Sequence, residues 1–144
     1  MDDLDRRLLA ALARDARASV STLARHLDVA RSTVQARIER LERTGTVAGY
    51  TIRLGAEAGA GRIRATVLLQ IEPRATPTVL QRLKPMSQVE RAHTTSGRFD
   101  LILEIAADTT RELDETLDRI GAVTGVRSSE SLVQLSTKID RAVV

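Results

Sequence analysis

The hydrophobic period of this chain changes partway along its length, and that change limits its possible folds more than any other feature. Up to residue 45 the apolar residues keep helical spacing: Leu4, Leu8, Leu9 and Leu12, then Leu23, Ala24 and Leu27, then Val34, Ile38 and Leu41. From Ile63 they alternate instead, with Ala65, Val67, Leu69 and Ile71 set against Arg64, Thr66 and Gln70. The stretch between, GAEAGAG at 55–61, is small-residue linker chemistry, and its glycines lack the spacing of a nucleotide loop. With 144 residues there is room for two small domains, and the expected division is 1–54, a linker at 55–61, and 62–144.

The N-terminal part predicts three short helices. Asp2 with Asp5 forms an N-cap and an acidic first turn, and Ser19 caps the second helix. ARSTVQARIERLERTG (30–45) is the third, closed by Gly45 as a C′ glycine. The turn at 28–30 is so short that the second and third helices must cross steeply. TVAGYTIRL (46–54) alternates around Gly49 and predicts a small strand pair, or wing, with Val47, Tyr50 and Ile52 available for packing. Together these give a winged helix-turn-helix.

After the linker, Thr76 and Pro77 read as N-cap and first residue of a helix bearing Val79, Leu80 and Leu83, halted before Pro85. Residues 88–106 form a hairpin turning at SGRFD. Thr109 and Glu112 make a capping box for a helix with Leu113, Leu117 and Ile120, stopped by Gly121. GVRSSESLVQL (125–135) is the last strand. The order βαββαβ predicts an α+β, ferredoxin-like sandwich with both helices on one face of an antiparallel sheet.

Composition removes several functions. The absence of cysteine excludes disulfides, thiolate metal sites and cysteine nucleophiles. The two histidines, His26 and His93, are far apart in sequence and share no ligand spacing, so no metal is expected. Asp114 and Glu115 read as solvent-facing surface, not an acid/base pair, so no catalytic residue or cofactor is expected. No run approaches the ~18 apolar residues of a membrane span, and no signal segment opens the chain, so a cytoplasmic protein without membrane partners is the expectation. Net charge is only +3, yet 20 of the 22 cationic side chains are arginine. Arginine suits phosphate and guanine, although a codon bias produces the same excess.

The third helix carries the functional inference. Its buried stripe leaves Arg31, Ser32, Thr33, Gln35 and Arg37 on other faces near the N-terminal half. Arg and Gln have bidentate geometries for guanine and adenine, and Ser and Thr donate to phosphate. The second helix of a helix-turn-helix lies in the major groove. The rival reading is a solvated amphipathic helix with Arg40 and Arg43 paired to Glu39 and Glu42. The tight turn, the wing and the uncharged outward donors favour double-stranded DNA.

At this point a resemblance carries further. DDLDRRLLAALARDARASVSTLARHL, RSTVQARIERLERTGTVAGY and TSGRFDLILEI resemble the Lrp/AsnC, or feast/famine, transcription regulators of bacteria and archaea. The pattern RIxRLExxGxVxGY at 37–50 and the SGxxD turn at 96–100 are specific in combination. The resemblance implies a sequence-specific regulator with an N-terminal helix-turn-helix and an effector-binding sandwich domain of the RAM type. It also implies homodimers built sheet to sheet, assembling in some cases into octamers, and an amino acid or related metabolite as effector. Carried onto these positions, 31–43 is the recognition helix and Arg37 its phosphate-facing arginine. The effector pocket, between dimers, takes Gly97, Arg98 and Asp100 from the turn and Ser129 and Ser131 from the last strand. Asp100 suits an ammonium, and backbone near Gly97 with two hydroxyls suits a carboxylate. The residue-level rival is that Gly97 merely permits the hairpin and Asp100 caps it. Ala30 stands where the family has a serine cap, which weakens the helix start by ~1 kcal/mol. Phe99 replaces a tyrosine, and Ser129 and Ser131 replace threonines. Two alternatives use the same scaffold: an enzyme like the sirohaem decarboxylases, drawing on Arg91, His93 and Arg98, and a non-specific architectural DNA-binding protein.

Overall fold

Asp2 starts the first helix in the computed structural model, which describes residues 1–59 and 61–141. Residue 60 of the expected linker and 142–144 of the expected second domain lie outside the described residues. Among the described residues the chain divides into two units, Met1–Arg53 with 139–141, and Leu54–Lys138. The second unit thus starts nine residues before Ile63, where the alternation becomes visible, and ends at Lys138.

In the first unit, α1 (Asp3–Arg14), α2 (Val20–Leu27) and α3 (Arg31–Arg43) follow the predicted order. Asp2 Oδ1 accepts from the Asp5 N–H at 3.0 Å, and the Asp2 N–H donates to Asp5 Oδ2 at 2.9 Å, a complete capping box. Ser19 Oγ accepts from the Thr22 N–H at 3.1 Å. Asp28 ends α2 in the left-handed region at φ 56°, and this one residue makes the sharp turn into α3. Ala30 begins α3 with no side-chain cap, and Gly45, at φ +71°, terminates it. Leu8, Leu12, Leu23, Leu27, Val34 and Leu41 form the core, with Ile38 and Val47 half-buried against it.

The wing is a correction. Residues 46–54 contain no strand; Tyr50 and Ile52 are 52% and 79% exposed, and only Val47 packs inward. Alternation supplies the side-chain pattern of a strand but no partner for its backbone, and a lone short ribbon is marginal in water. Tyr50 is instead tied to α3, its hydroxyl donating to Glu42 Oε1 at 2.7 Å.

In the second unit a single helical turn, α4 (Ala56–Gly59), lies within the expected linker. It is followed by β1 (Ile63–Ile71), α5 (Thr76–Leu83), β2 (Val89–Thr94), β3 (Leu101–Ala107), α6 (Thr110–Gly121) and β4 (Val126–Val133). The strand order β2-β3-β1-β4, antiparallel throughout, is the ferredoxin-like sheet. Ala65, Val67 and Leu69 pair with Ile105, Leu103 and Leu101, and this face packs on Val79 and Leu83 of α5 and Leu113 and Ile120 of α6. Two boundaries move by a residue. Ala75, not Thr76, is the N-cap of α5 and makes no side-chain bond. Gly121 lies inside α6, which is capped by Ala122. The box at Thr109 is half made: Thr109 Oγ1 accepts from the Glu112 N–H, but Glu112 Oε2 takes the N–H of Asp108. Among the described residues no helix is long and apolar enough to cross a membrane.

Candidate nucleic-acid interface and effector turn

Helix α3 is docked by Val34 and Leu41, which are 1% and 3% exposed. Docking along that seam leaves Arg31, Ser32 and Gln35 exposed and Thr33 half-buried. The first turn has no side-chain cap: the Thr33 N–H donates to the Ala30 carbonyl at 3.0 Å, while the N–H groups of Arg31 and Ser32, at the positive end of the dipole, meet no capping oxygen. Gln35 Nε2 donates to Glu39 Oε1 at 2.8 Å, an exposed bond along the helix surface.

The second half of α3 is arranged differently. Arg37 Nη1 donates to Asp2 and, at 3.0 Å, to Asp5 Oδ1, while Arg40 Nη2 reaches Asp5 Oδ2 at 2.5 Å. Arg37, expected to face phosphate, is therefore turned onto the start of α1. Arg40, Glu39 and Glu42, expected as mutual pairs in the solvated-helix reading, bond instead to Asp5, Gln35 and Tyr50. The Arg37 guanidinium, with the Asp5 N–H, holds the Asp2 carboxyl down at about 2. Asp5 is also lowered, first by the Asp2 N–H and then by Arg37, against its own burial. These two aspartates hold the arginines of α3, a role that cap reasoning missed. The clue was present: Asp5, Leu8 and Leu12 share one helical stripe, so a carboxylate on the buried side needs cations from across the core.

In the second unit the β2–β3 turn holds Gly97 at φ +103°, with Arg98, Phe99 and Asp100 following. The Asp100 N–H donates to the Leu69 carbonyl at 2.8 Å, and Asp100 Oδ2 accepts from the Ile71 N–H at 2.7 Å. That N–H lies where the β1–β4 register shifts, between Gln70 and Ile71. Arg98 stacks over Phe99 with its guanidinium carbon 4.9 Å from the ring centre. Gln70 ties the turn across the sheet: its Nε2 donates to the Arg98 carbonyl at 3.0 Å, and its Oε1 accepts from Ser128 Oγ at 2.7 Å.

Ser129 and Ser131 are exposed on β4 opposite Leu69 and Val67, which places them on the helix-covered side of the sheet. Ser129 shares the turn's end of the sheet, two strands from Leu101, or about 10 Å at the usual strand spacing. Ser128, on the opposite face, is the serine that bonds into the turn network. Neither Gln70 nor Ser128 was nominated from sequence; both sit next to the register shift, which apolar spacing does not reveal. Among the other candidates, His26 is exposed on α2 and His93 is exposed on β2 opposite Ile102. Arg91 pairs with Glu104 at 2.9 Å. A groove of about 600 Å³ in the first unit, lined by Leu9, Leu12, Val47 and Tyr50 among others, touches none of the nominated positions.

Two family models match this chain: the AsnC-type helix-turn-helix domain over residues 1–42 and the Lrp/AsnC ligand binding domain over residues 64–144. The chain belongs to the Lrp/AsnC family. Among its Lrp/AsnC relatives, the HTH-type transcriptional regulator LrpA of Mycobacterium tuberculosis is 32% identical over 142 residues, 98% of this chain and 95% of that protein. LysM of Saccharolobus solfataricus, also an HTH-type transcriptional regulator, is 28% identical over 95% of each chain. A feast or famine regulatory protein from M. tuberculosis, solved in complex with L-methionine, superposes with a TM-score of 0.82 at 33% identity, covering 96% of this chain and 95% of that one. E. coli AsnC superposes at 0.89 with 23% identity, over 99% and 97%, and supports the fold alone. As a member of the Lrp/AsnC family, this protein is a DNA-binding transcription regulator with a ligand-binding domain.

Proposed function

We propose that this Lrp/AsnC regulator reads specific duplex sequences with the N-terminal half of α3 and that an amino acid tunes its assembly at the SGRFD turn. The observation that carries the reading is the exposed set Arg31, Ser32 and Gln35 on a helix docked by the buried Val34 and Leu41. Gln35 exchanges Glu39 for an adenine edge, Arg31 takes guanine or phosphate, and Ser32 and Thr33 donate to the backbone. A homodimer presents two such helices to half-sites one turn, ~34 Å, apart. The open sheet face suits that dimer, since Leu68 and Ile102 pair on it and Leu132 beside them is 51% exposed. The family resemblance implies that such dimers assemble in some cases into octamers.

For the effector, Asp100 retains one oxygen beyond its bond to Ile71 and suits an ammonium, while Gly97 allows backbone to approach a carboxylate. Arg98 stands beside them as a second carboxylate partner, and Ser129 and Ser131 supply hydroxyls from β4. The methionine complex of the M. tuberculosis relative supports an amino acid as the ligand class. An effector shifts assembly only by its differential affinity for the two forms.

The test is a competition titration of genomic against random-sequence duplex at fixed salt, repeated with Gln35→Ala. A preference for particular fragments that relaxes in the variant supports base reading. Equal affinity for every fragment leaves the architectural reading instead.

A further inference from the structure

Arg37 spends only one nitrogen on its two carboxylates. Both bonds, to Asp2 and to Asp5, come from Nη1, and among the described residues Nε and Nη2 have no partner. That second edge of the guanidinium is the pair of donors that grips a phosphate in bidentate fashion. The two carboxylates differ in their hold. The Asp5 side chain is 0% exposed and both its oxygens are engaged, by Arg37, Arg40 and the Asp2 N–H. The Asp2 side chain is 52% exposed and Arg37 26%, so their ion pair lies at the surface. Being held near 2, Asp2 remains an anion in any working buffer.

We propose that Asp2 sets the DNA affinity of this regulator by competing with a backbone phosphate for Arg37, which keeps its bond to Asp5 in both states. The inference rests on the reading of α3 as the DNA-facing helix. In the free protein Asp2 shares Nη1 with Asp5 and offsets the charge of the guanidinium, leaving the Nε and Nη2 edge open. On the duplex a phosphate takes Nε and Nη2, and Asp2 is left as a like charge beside it. Arg37 then contributes less than a full phosphate contact, because Asp2 and the phosphate are two anions drawing on the same cation.

Asp2→Asn isolates the competition, because asparagine caps a helix about as well as aspartate while carrying no charge. Asp2→Ser is the second such variant should the first disturb the helix, and a circular-dichroism melt checks both. Anisotropy of a labelled random-sequence 30-bp duplex from 50 to 200 mM salt is the readout. Asp2→Asn is expected to tighten binding at 50 mM and steepen the log–log salt slope by ~0.9, so that binding weakens about 3.5-fold more than wild type across that range. Placed in an Arg37→Gln background, Asp2→Asn is expected to leave the slope unchanged. An unaltered slope in the single variants, with wild type binding normally, overturns the competition and leaves Asp2 a cap and brace. The same steepening without Arg37 also overturns it, as a general charge effect. Wild type failing to bind the duplex at 50 mM removes the DNA-facing reading of α3 itself.

Discussion

Asp5 in the first unit and Asp100 in the second are both aspartates at the ends of elements, and they have opposite capacities. Asp5 is fully buried and takes two arginines and a backbone N–H. Asp100 is exposed and gives one oxygen to one backbone N–H. A saturated buried carboxylate fixes geometry and has no capacity left for a ligand. A half-used exposed one holds its own turn and still presents an anion. The same residue type is therefore structural in the helical unit and available for recognition in the sheet unit, and packing around the carboxylate decides which.

The largest effect should come from breaking the saturated member. Asp5→Ala leaves Arg37 and Arg40 without their shared partner and opens half of the capping box, and it should make the first unit the first part of the molecule to melt. Differential scanning calorimetry should show an early transition absent from wild type, with duplex binding lost at that temperature. Acid should do the same reversibly. Both carboxylates are held below their ordinary 3.8, so their contribution is fully present above 3.8 and falls away below it, the part due to Asp2 being lost as pH falls through about 2. The melting temperature should fall across that window, and Asp2→Asn should flatten the fall.

The counterpart in the second unit is a glycine. Gly125 has φ +102°, and a Cβ there would lie 2.8 Å from the Ala75 Cβ and 3.1 Å from Val79 Cγ2. Its carbonyl accepts from the Glu72 N–H at 2.8 Å, next to the register shift that Asp100 caps. Gly125→Ala combines a strained backbone with an overpacked contact and should cost about 1–3 kcal/mol. Urea titration of the variant checks it, and a loss below 0.5 kcal/mol would mean that α5 moves aside easily.

Much of this comparison was legible in the sequence, and its gaps have physical causes. The helical stripes and the alternation of β1 and β3 are read directly because one side of each is buried. β4 resists the same reading: SSES is polar on both faces of an edge strand, so no periodicity tells Ser128 from Ser129. The register shift between Gln70 and Ile71, where Asp100 accepts the Ile71 N–H from a neighbouring strand, is invisible to that periodicity. The wing failed because a strand is a property of a pair. The recognition helix was legible by its seam, but the partners of Arg37 and Arg40 were not, because they lie more than thirty residues away on α1. Cap logic explained Asp2 and Asp5 fully enough to hide their second role.

A smaller effect sharpens the comparison from the uncapped end of α3. Ala30 offers no oxygen to the first turn, whereas Ser19 and Thr109 do so for α2 and α6. Ala30→Ser should add ~1 kcal/mol of stability to the first unit. It should also fill, with a hydroxyl, an N–H group that the DNA reading leaves for phosphate. Thermal melting measures the gain, and duplex affinity that stays the same or falls while stability rises would separate docking of the helix from its reading.

The smallest stability change should come from the half-used carboxylate, and there the comparison is decided. Asp100→Asn keeps an acceptor for the Ile71 N–H and removes only the charge, so stability should stay within about 0.5 kcal/mol of wild type. A thermal-shift series over the amino acids should find a ligand that raises the melting temperature of wild type and not of the variant. If Asp100→Asn instead destabilises the sheet as severely as Asp5→Ala does the helices, the charge is structural in both units. The turn would then have no anion to spare for an ammonium group, and the effector would have to be held by Arg98 and the backbone around Gly97.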